Sequence, residues 1–251
     1  MGADAAKAAN LRGAASAVIV AAGEGLRMGA GPKKQFLRLG GEPILAMALR
    51  AFAEAECIGE IVLVVARGDA EYCEREIVAH MSPESAYGKA VRIAHGGRTR
   101  QESVRNGVAA ADPAFGLIAI HDGVRPFIEP GAICAAVAAA AEAGASCVAI
   151  PATDTIKEAR GGYIERTLDR ASLWAAQTPQ AFRREILADA LDAAERRGFA
   201  ATDDVSLAES IGVRAMIVPG SYDNIKITTQ RDLDIAKEIL ARRRREAPVP
   251  R

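Results

Sequence analysis

The chain has no surplus of charge of either sign: 32 lysines and arginines face 32 aspartates and glutamates over 251 residues, a net formal charge of +0. That balance excludes a general field drawing the protein to nucleic acid or to a membrane surface, so any anion binding has to be local. No apolar stretch approaches the ~20 residues needed to cross a bilayer. The four cysteines, Cys57, Cys73, Cys134 and Cys147, include no C-x-x-C pair, and the three histidines make no cluster with them, which excludes the usual zinc frameworks. They are expected as buried free thiols in a reducing cytoplasm. Sequence repeats are missing, and alanine richness is the only compositional bias. No G-K-[ST] triplet follows a glycine loop, so a P-loop is excluded as well.

What is present is ordinary globular material, 50% hydrophobic and 25% charged. Short valine- and isoleucine-rich runs at 17–22, 60–66, 90–95, 116–122, 145–151 and 213–220 have the composition of strands covered on both faces. Helical segments are predicted between them, at 43–55, 69–80, 99–110, 130–143, 182–197, 203–210 and 231–245. The rhythm predicts an α/β fold, a Rossmann-like, mostly parallel open sheet with right-handed crossovers. The polar stretch 152–176 breaks it and reads as an inserted β-hairpin arm around Gly161-Gly162. We therefore expect a disordered extension over 1–15, one domain over 16–245 with the arm inserted at 152–176, and a flexible tail over 246–251. Lys7 and Arg12 before "GAASAVIVAAG" imitate a signal peptide, but the strongly apolar part is only Ala17 to Ala22 and runs straight into a charged glycine loop.

That loop, "AVIVAAGEGLRMGAGPKKQF" (17–36), holds the first chemical signal. A dinucleotide loop would read G-x-G-x-x-G and open a helix. Here the third glycine comes one place late, Pro32 interrupts the helix, and Arg27, Lys33 and Lys34 crowd the turn. Backbone donors together with full cations suit a triphosphate whose charge redistributes during reaction; a surface turn with solvated cations is the plainer alternative. Asp122, just past a buried strand in "HDGVRPF", and Asp223 in "SYDNIKIT" fall at strand ends, where α/β sheets bind ligands. Either could simply cap a helix, or the two could share one Mg²⁺. The run Arg242 to Arg245 has the pattern of a basic tail, although its neutral context favours a solvated helix end.

Six segments, "AAGEGLRMGAGPKKQFL", "HDGVRPF", "ATDTIKE", "TLDRASLWAAQTPQAF", "ATDDVSL" and "DNIKIT", occur in an order and at distances similar to those of the 2-C-methyl-D-erythritol 4-phosphate cytidylyltransferases of the non-mevalonate isoprenoid pathway. The likeness runs from about Ser16 to Leu240. It implies a nucleotidyltransferase-type sheet, Mg²⁺ as cofactor, CTP and methylerythritol phosphate as substrates, and a cytoplasmic homodimer that exchanges its β-arms. Carried over by position, it makes Ala21, Ala22 and Gly23 part of the CTP cradle and Gly97, Arg98 and Ser103 contacts to cytosine and ribose. Arg27 and Lys34 become the stabilisers of the transition state, the doubled Lys33 leaving a neighbour in play. Asp122 and Asp223 match metal-side acids. Arg125, Thr202 and Lys226 match contacts to the acceptor phosphate, while Thr155 and Arg170, on the arm, match residues reaching the other subunit's site.

Many members of that family have two alanines where this chain has Gly123-Val124. Ribitol 5-phosphate cytidylyltransferases, close relatives, vary there too and stand as the alternative; "TLDRASLWAAQTPQ" resembles the methylerythritol group more. Some relatives carry a fused cyclodiphosphate synthase domain, which is not expected in this chain. A nicotinamide-dependent oxidoreductase is the remote alternative, disfavoured by the late glycine and the lysines. A phosphate monoester is already largely dianionic near neutral pH, so no general base is expected, and His80, His95 and His121 are read as packing or loop residues.

Overall fold

In a computed structural model, which describes residues 11–23, 33–81 and 89–246, the strand and helix rhythm folds into a seven-stranded sheet with helices on both faces. The strands are β1 (Ala15–Val20), β4 (Ile58–Val65), β5 (Ala90–His95), β6 (Leu117–Asp122), β7 (Ala145–Pro151), β10 (Trp174–Arg183) and β11 (Met216–Pro219), in the order β11-β7-β10-β6-β1-β4-β5. β1 is parallel to β4 and β6, β4 to β5, and β7 to β11, whereas β10 runs antiparallel to both of its neighbours. The chain leaves β1 in one direction and returns to its other side with β6, which opens a crevice at the carboxyl ends of β1, β4 and β6.

Period-2 alternation builds the two layers. Ala17 and Ile19 of β1, Ile61 and Leu63 of β4 and Ala119 of β6 face one core, together with Leu49 and Phe52 of α1 (Ile44–Glu54), Cys73 of α2 (Ala70–Glu76) and Val137 of α4 (Pro130–Ala143). Val18, Val62, Val64, Ile118 and Ile120 face the other. There Val104 and Val108 of α3 (Arg100–Ala110), Leu187 and Leu191 of α5 (Arg184–Arg197) and Leu207 of α6 (Asp204–Ser210) cover them. A third, smaller cluster joins Leu233, Ala236 and Ile239 of α7 (Gln230–Glu246) to Leu39, Ile44 and Phe127, close to the short hairpin of β2 (Arg38–Leu39) and β3 (Glu42–Pro43).

Three expectations change. Residues 1–10 of the predicted extension lie outside the described residues, as do 247–251 of the tail. Leu11 to Ala14 instead form a turn, with Leu11 packed on the core and the Gly13 N–H donating to Glu56, and Glu246 still belongs to α7. The arm is a two-stranded sheet of β8 (Lys157–Arg160) and β9 (Tyr163–Thr167), turning at Gly161 and Gly162 with φ of 57° and 86° as a tight hairpin requires. Residues 174–176, however, already belong to β10, a central strand unforeseen because Pro179 and the polar Gln177, Thr178 and Gln180 argue against one.

Gly107 lets α3 lie flush on the sheet: a Cβ there would come 2.4 Å from Val18 and 2.7 Å from Val64. Gly107→Ala should gain about 1 kcal/mol of helix propensity but lose about 1–3 kcal/mol to overpacking. Urea unfolding is expected to show a net loss, and a gain in stability would refute the tight packing.

Candidate active site

The crevice is a cleft of about 500 Å³ built from strand ends. Ala21, Ala22 and Gly23 follow β1, Ala66 and Arg67 follow β4, Gly96 to Thr99 join β5 to α3, and Asp122 closes β6; Lys34, Gln35, Ser103 and Lys226 complete the wall with Val20, Arg100 and Val124. Nine of the residues singled out in the sequence thus share one wall: Ala21, Ala22, Gly23, Lys34, Gly97, Arg98, Ser103, Asp122 and Lys226.

Local chemistry explains the positions. Thr99 caps α3 by accepting from the Glu102 N–H (3.0 Å), and the Glu102 carboxylate accepts from the Arg98 N–H (2.8 Å). The Ser103 hydroxyl accepts from the Gly97 N–H at 3.1 Å and donates to the Thr99 carbonyl at 2.8 Å. Ser103 therefore holds the turn that borders the cleft. Gly96 approaches Ala22 so closely that a Cβ would come within 2.3 Å of the alanine's own. Buried Gln35 donates to the carbonyls of Ala21 (2.9 Å) and Gly23 (3.2 Å), fixing where the glycine loop leaves β1. The two adjacent lysines differ in place: Lys33 pairs with Asp69 at 2.7 Å, and Lys34 lines the cleft. Arg27 lies outside the described residues.

Asp122 is the charge centre. Only 7% exposed, it meets Lys226 at 2.8 Å, Arg100 at 3.2 Å and Arg125 at 3.7 Å. Burial alone would raise its pKa, but Arg100, Lys226 and Arg125 together hold the carboxyl well below the usual range, so it is ionised at any physiological pH. Arg100 makes a bidentate pair with Asp204 at 2.8 and 2.7 Å. Burial pushes the Asp204 carboxyl up in spite of that grip. Arg125 sits behind Asp122 and donates to the Asn224 carbonyl at 2.7 Å.

The positioning residues that sequence reasoning missed lie in Gln177-Thr178-Pro179-Gln180, four residues of a segment quoted for its likeness that were themselves given no role. The Thr178 hydroxyl accepts from the Asp122 N–H at 3.1 Å and meets His121 Nδ1 at 2.9 Å. His121 Nε2 contacts the Arg125 carbonyl at 3.1 Å and so carries the proton, leaving Nδ1 as acceptor. Gln180 donates to Asp203 at 2.8 Å and accepts from the Val205 N–H at 2.8 Å; Gln177 donates to the Ser221 carbonyl at 2.8 Å and accepts from Asn224 at 3.1 Å.

Other candidates stand apart. Asp223, read as a second acid beside Asp122, is bound by Arg242 and Arg243 and does not line the cleft. Those pairs, with Arg244 donating to the Gly40 carbonyl at 3.0 Å, tie three of the four arginines to neighbouring segments while Arg242, Arg244 and Arg245 stay exposed. Thr202 is exposed beside Asp203, the N-cap of α6. Thr155 and Arg170 are exposed on the arm, Arg170 donating to the Thr153 carbonyl at 2.7 Å and lining a separate depression with Ala152 and Trp174. Among the described residues, no group of three or more His, Cys, Asp or Glu could hold a metal, and Asp122 is the cleft's only carboxylate.

With this geometry in place, comparison with known proteins is decisive: residues 15–242 match the family model described as IspD: 2-C-methyl-D-erythritol 4-phosphate cytidylyltransferase. The chain belongs to that family. It is 44% identical over 229 residues to the 2-C-methyl-D-erythritol 4-phosphate cytidylyltransferase of Pelotomaculum thermopropionicum, covering 91% of this chain and 94% of that one. It is also 44% identical over 230 residues to the Geobacillus kaustophilus protein of the same name, covering 92% and 98%. The crystal structure of 4-diphosphocytidyl-2C-methyl-D-erythritol synthase from Anaerococcus prevotii superposes with a TM-score of 0.80 at 33% identity, covering 90% of this chain and 96% of that one. The cytidylyltransferase family thus accounts for the sheet and cleft together.

Burial lowers the His121 pKa to about 4, outweighing the stabilising Arg125 carbonyl and Asp122 charge. A depressed histidine leaves the unfolded chain binding more protons between its two pKa values, so stability is full above about pH 6.5 and falls toward pH 4, by about 3 kcal/mol. Urea titrations across that window should show this slope, and His121→Gln should flatten it. A slope unchanged by the substitution would refute a buried neutral histidine.

Proposed function

We propose that this chain transfers CMP from CTP to 2-C-methyl-D-erythritol 4-phosphate, releasing pyrophosphate and 4-diphosphocytidyl-2-C-methyl-D-erythritol, in the cytoplasm. The observation that supports it most is a strand-end cleft in a chain of this family, lined by Lys34 and by the Asp122–Lys226–Arg100 cluster. The acceptor nucleophile is a phosphate monoester oxygen, mostly dianionic near pH 7 because its second pKa is about 6. Nothing has to deprotonate it, in keeping with a His121 that is neutral and fully engaged.

The remaining problem is holding two mutually repelling anions in line while charge grows on the α-phosphate and the departing pyrophosphate. Gly23 and the Gly97–Ser103 turn, whose Gly97 and Arg98 N–H groups are held by Ser103 and Glu102, shape the wall that meets the nucleotide; Arg98, whose side chain also pairs with Glu102 at 3.6 Å, is assigned to the ribose or base. Lys34, with Arg27 from the loop, stabilises the developing charge. Lys226, on the wall, holds the acceptor phosphate; Arg125, behind Asp122, and Thr202, exposed beside the cap of α6, are assigned to it from the resemblance alone. Mg²⁺ takes one or two carboxylates and shares phosphate oxygens, which suits a wall offering Asp122 alone. Asp122 would hold it, and the ion would neutralise triphosphate charge. Asp223, which does not line the cleft, is not retained in that role.

Thr155 and Arg170 have no place in their own subunit's cleft. We assign them to the cleft of a second copy, reached by exchange of arms. The exposed Tyr163 (81%) and Ile164 (65%) on β9 support an arm that docks on protein.

The direct test is pyrophosphate release from CTP and Mg²⁺ with methylerythritol phosphate or ribitol 5-phosphate as acceptor. Higher kcat/KM is expected for methylerythritol phosphate; a preference for ribitol phosphate would overturn the substrate assignment. The shared site has its own test. Lys34→Ala and Arg170→Ala should each lose ~10²-fold or more in kcat. A heterodimer of the two holds one doubly damaged and one intact site, so mixing should restore about half the wild-type rate per heterodimer if the arm acts in trans. Heterodimers without recovery would place Arg170 in its own subunit's site.

A further inference from the structure

Away from the cleft, one pair of nucleophilic side chains has no part in the chemistry above. Cys57 is buried in the turn between α1 and β4, its carbonyl accepting from the Ala15 N–H at 3.0 Å. Cys134 sits in the second turn of α4 and, contrary to the expected full burial, is only half-buried. Their sulfurs lie 2.8 Å apart across 77 positions of sequence. Lys89, just before β5, donates its ammonium to the Phe52 and Ala55 carbonyls at the end of α1, which fixes a cation beside the pair.

We propose that Cys57 and Cys134 form a redox modification site, a dithiol that closes to a disulfide on meeting a small-molecule disulfide, with Cys134 attacking, Cys57 resolving and Lys89 favouring the thiolate. Formation needs only a short approach of the sulfurs to the about 2.05 Å of the bond. The Cys134 thiolate attacks one sulfur of the small disulfide, whose S–S bond breaks and whose other half leaves as a thiolate with the electron pair. Cys57 then attacks the Cys134 sulfur of the mixed disulfide and expels the second small thiolate. Two protein thiols lose two electrons, one small disulfide gains them, and the two protons end on the released thiols.

The order of attack follows from the surroundings. Its hydrogen bond with Cys57 draws the Cys134 thiol's pKa down; burial opposes this and Lys89 adds to it. Cys57 is pushed up by the same partner and by its own burial. The more accessible sulfur is thus the one that ionises first. The other two cysteines serve as internal controls. Cys73 is pushed up to about 12 by burial and Asp69, and Cys147 to about 11 by burial and Asp203.

The pair lies at the amino end of β4, whereas the cleft lies at the carboxyl ends, so the inference does not rest on the catalytic reading. The full chain is incubated with oxidised glutathione, free thiols are alkylated, and intact mass and non-reduced peptides are measured. The expected result is loss of two hydrogens, a peptide joining Cys57 to Cys134, and a rise in Tm of ~5 °C or more that dithiothreitol reverses. Cys57→Ser should stop at a glutathione adduct on Cys134, Cys134→Ser should leave Cys57 unmodified, and Lys89→Met should slow the first step about tenfold. Wild-type protein that keeps four free thiols, halts at the mixed disulfide, or links Cys73 or Cys147 instead would overturn the proposal, whatever the variants do.

Discussion

Everything in the cleft is arranged around one buried negative charge. Asp122 ends a central strand at a point where water is nearly excluded, and an ion there is costly unless matched. Three cations from three parts of the chain meet that demand: Arg100 from the start of α3, Arg125 from the loop after β6, and Lys226 from the segment before α7. The carboxylate is therefore as much an assembly point as a site residue. It brings together segments more than a hundred positions apart and leaves a surplus of positive charge facing the cleft. A preorganised surplus of this kind costs no reorganisation when substrate charge develops.

The second support is β10, the strand that runs against all its neighbours. Its buried amides and hydroxyl, Gln177, Thr178 and Gln180, reach the Asn224 segment, the Asp122 backbone and the cap of α6. Buried polar groups are tolerated only when satisfied, and here their partners are the site's own frame. The same strand begins at the root of the arm, so the hairpin grows from one of the most firmly bonded places in the sheet.

Much of this was legible in the sequence because period-2 apolar runs and capping residues obey local rules. α4 matched to the residue, with Pro130 at its start and Gly144 just past its end. The glycine loop and Asp122 could be placed at strand ends for the same reason. β10 could not: burial overrode the local signals of proline and glutamine, as happens when polar residues serve a tertiary network. Asp223 was misplaced because strand-end position says where a carboxylate sits and not which cation claims it, and Arg242 and Arg243 lie some twenty residues away on another element. Lys33 and Lys34 were indistinguishable in sequence for a like reason; the deciding partner, Asp69, is 36 positions off.

The flush seat of Gly107 reaches beyond stability. With Val18 and Val64 pressed against its backbone, α3 has no room to slide along its axis by even one residue without driving Asn106 or Val108 into the same strands. The distance from the sheet to the first turn of the helix is thereby set like a gauge. Insertions between β5 and Gly107 cannot be absorbed by shifting the helix and would have to bulge outward through the lip of the cleft, displacing Gly97, Arg98 and Ser103, so the helix seat and the cleft wall constrain the length of this stretch together.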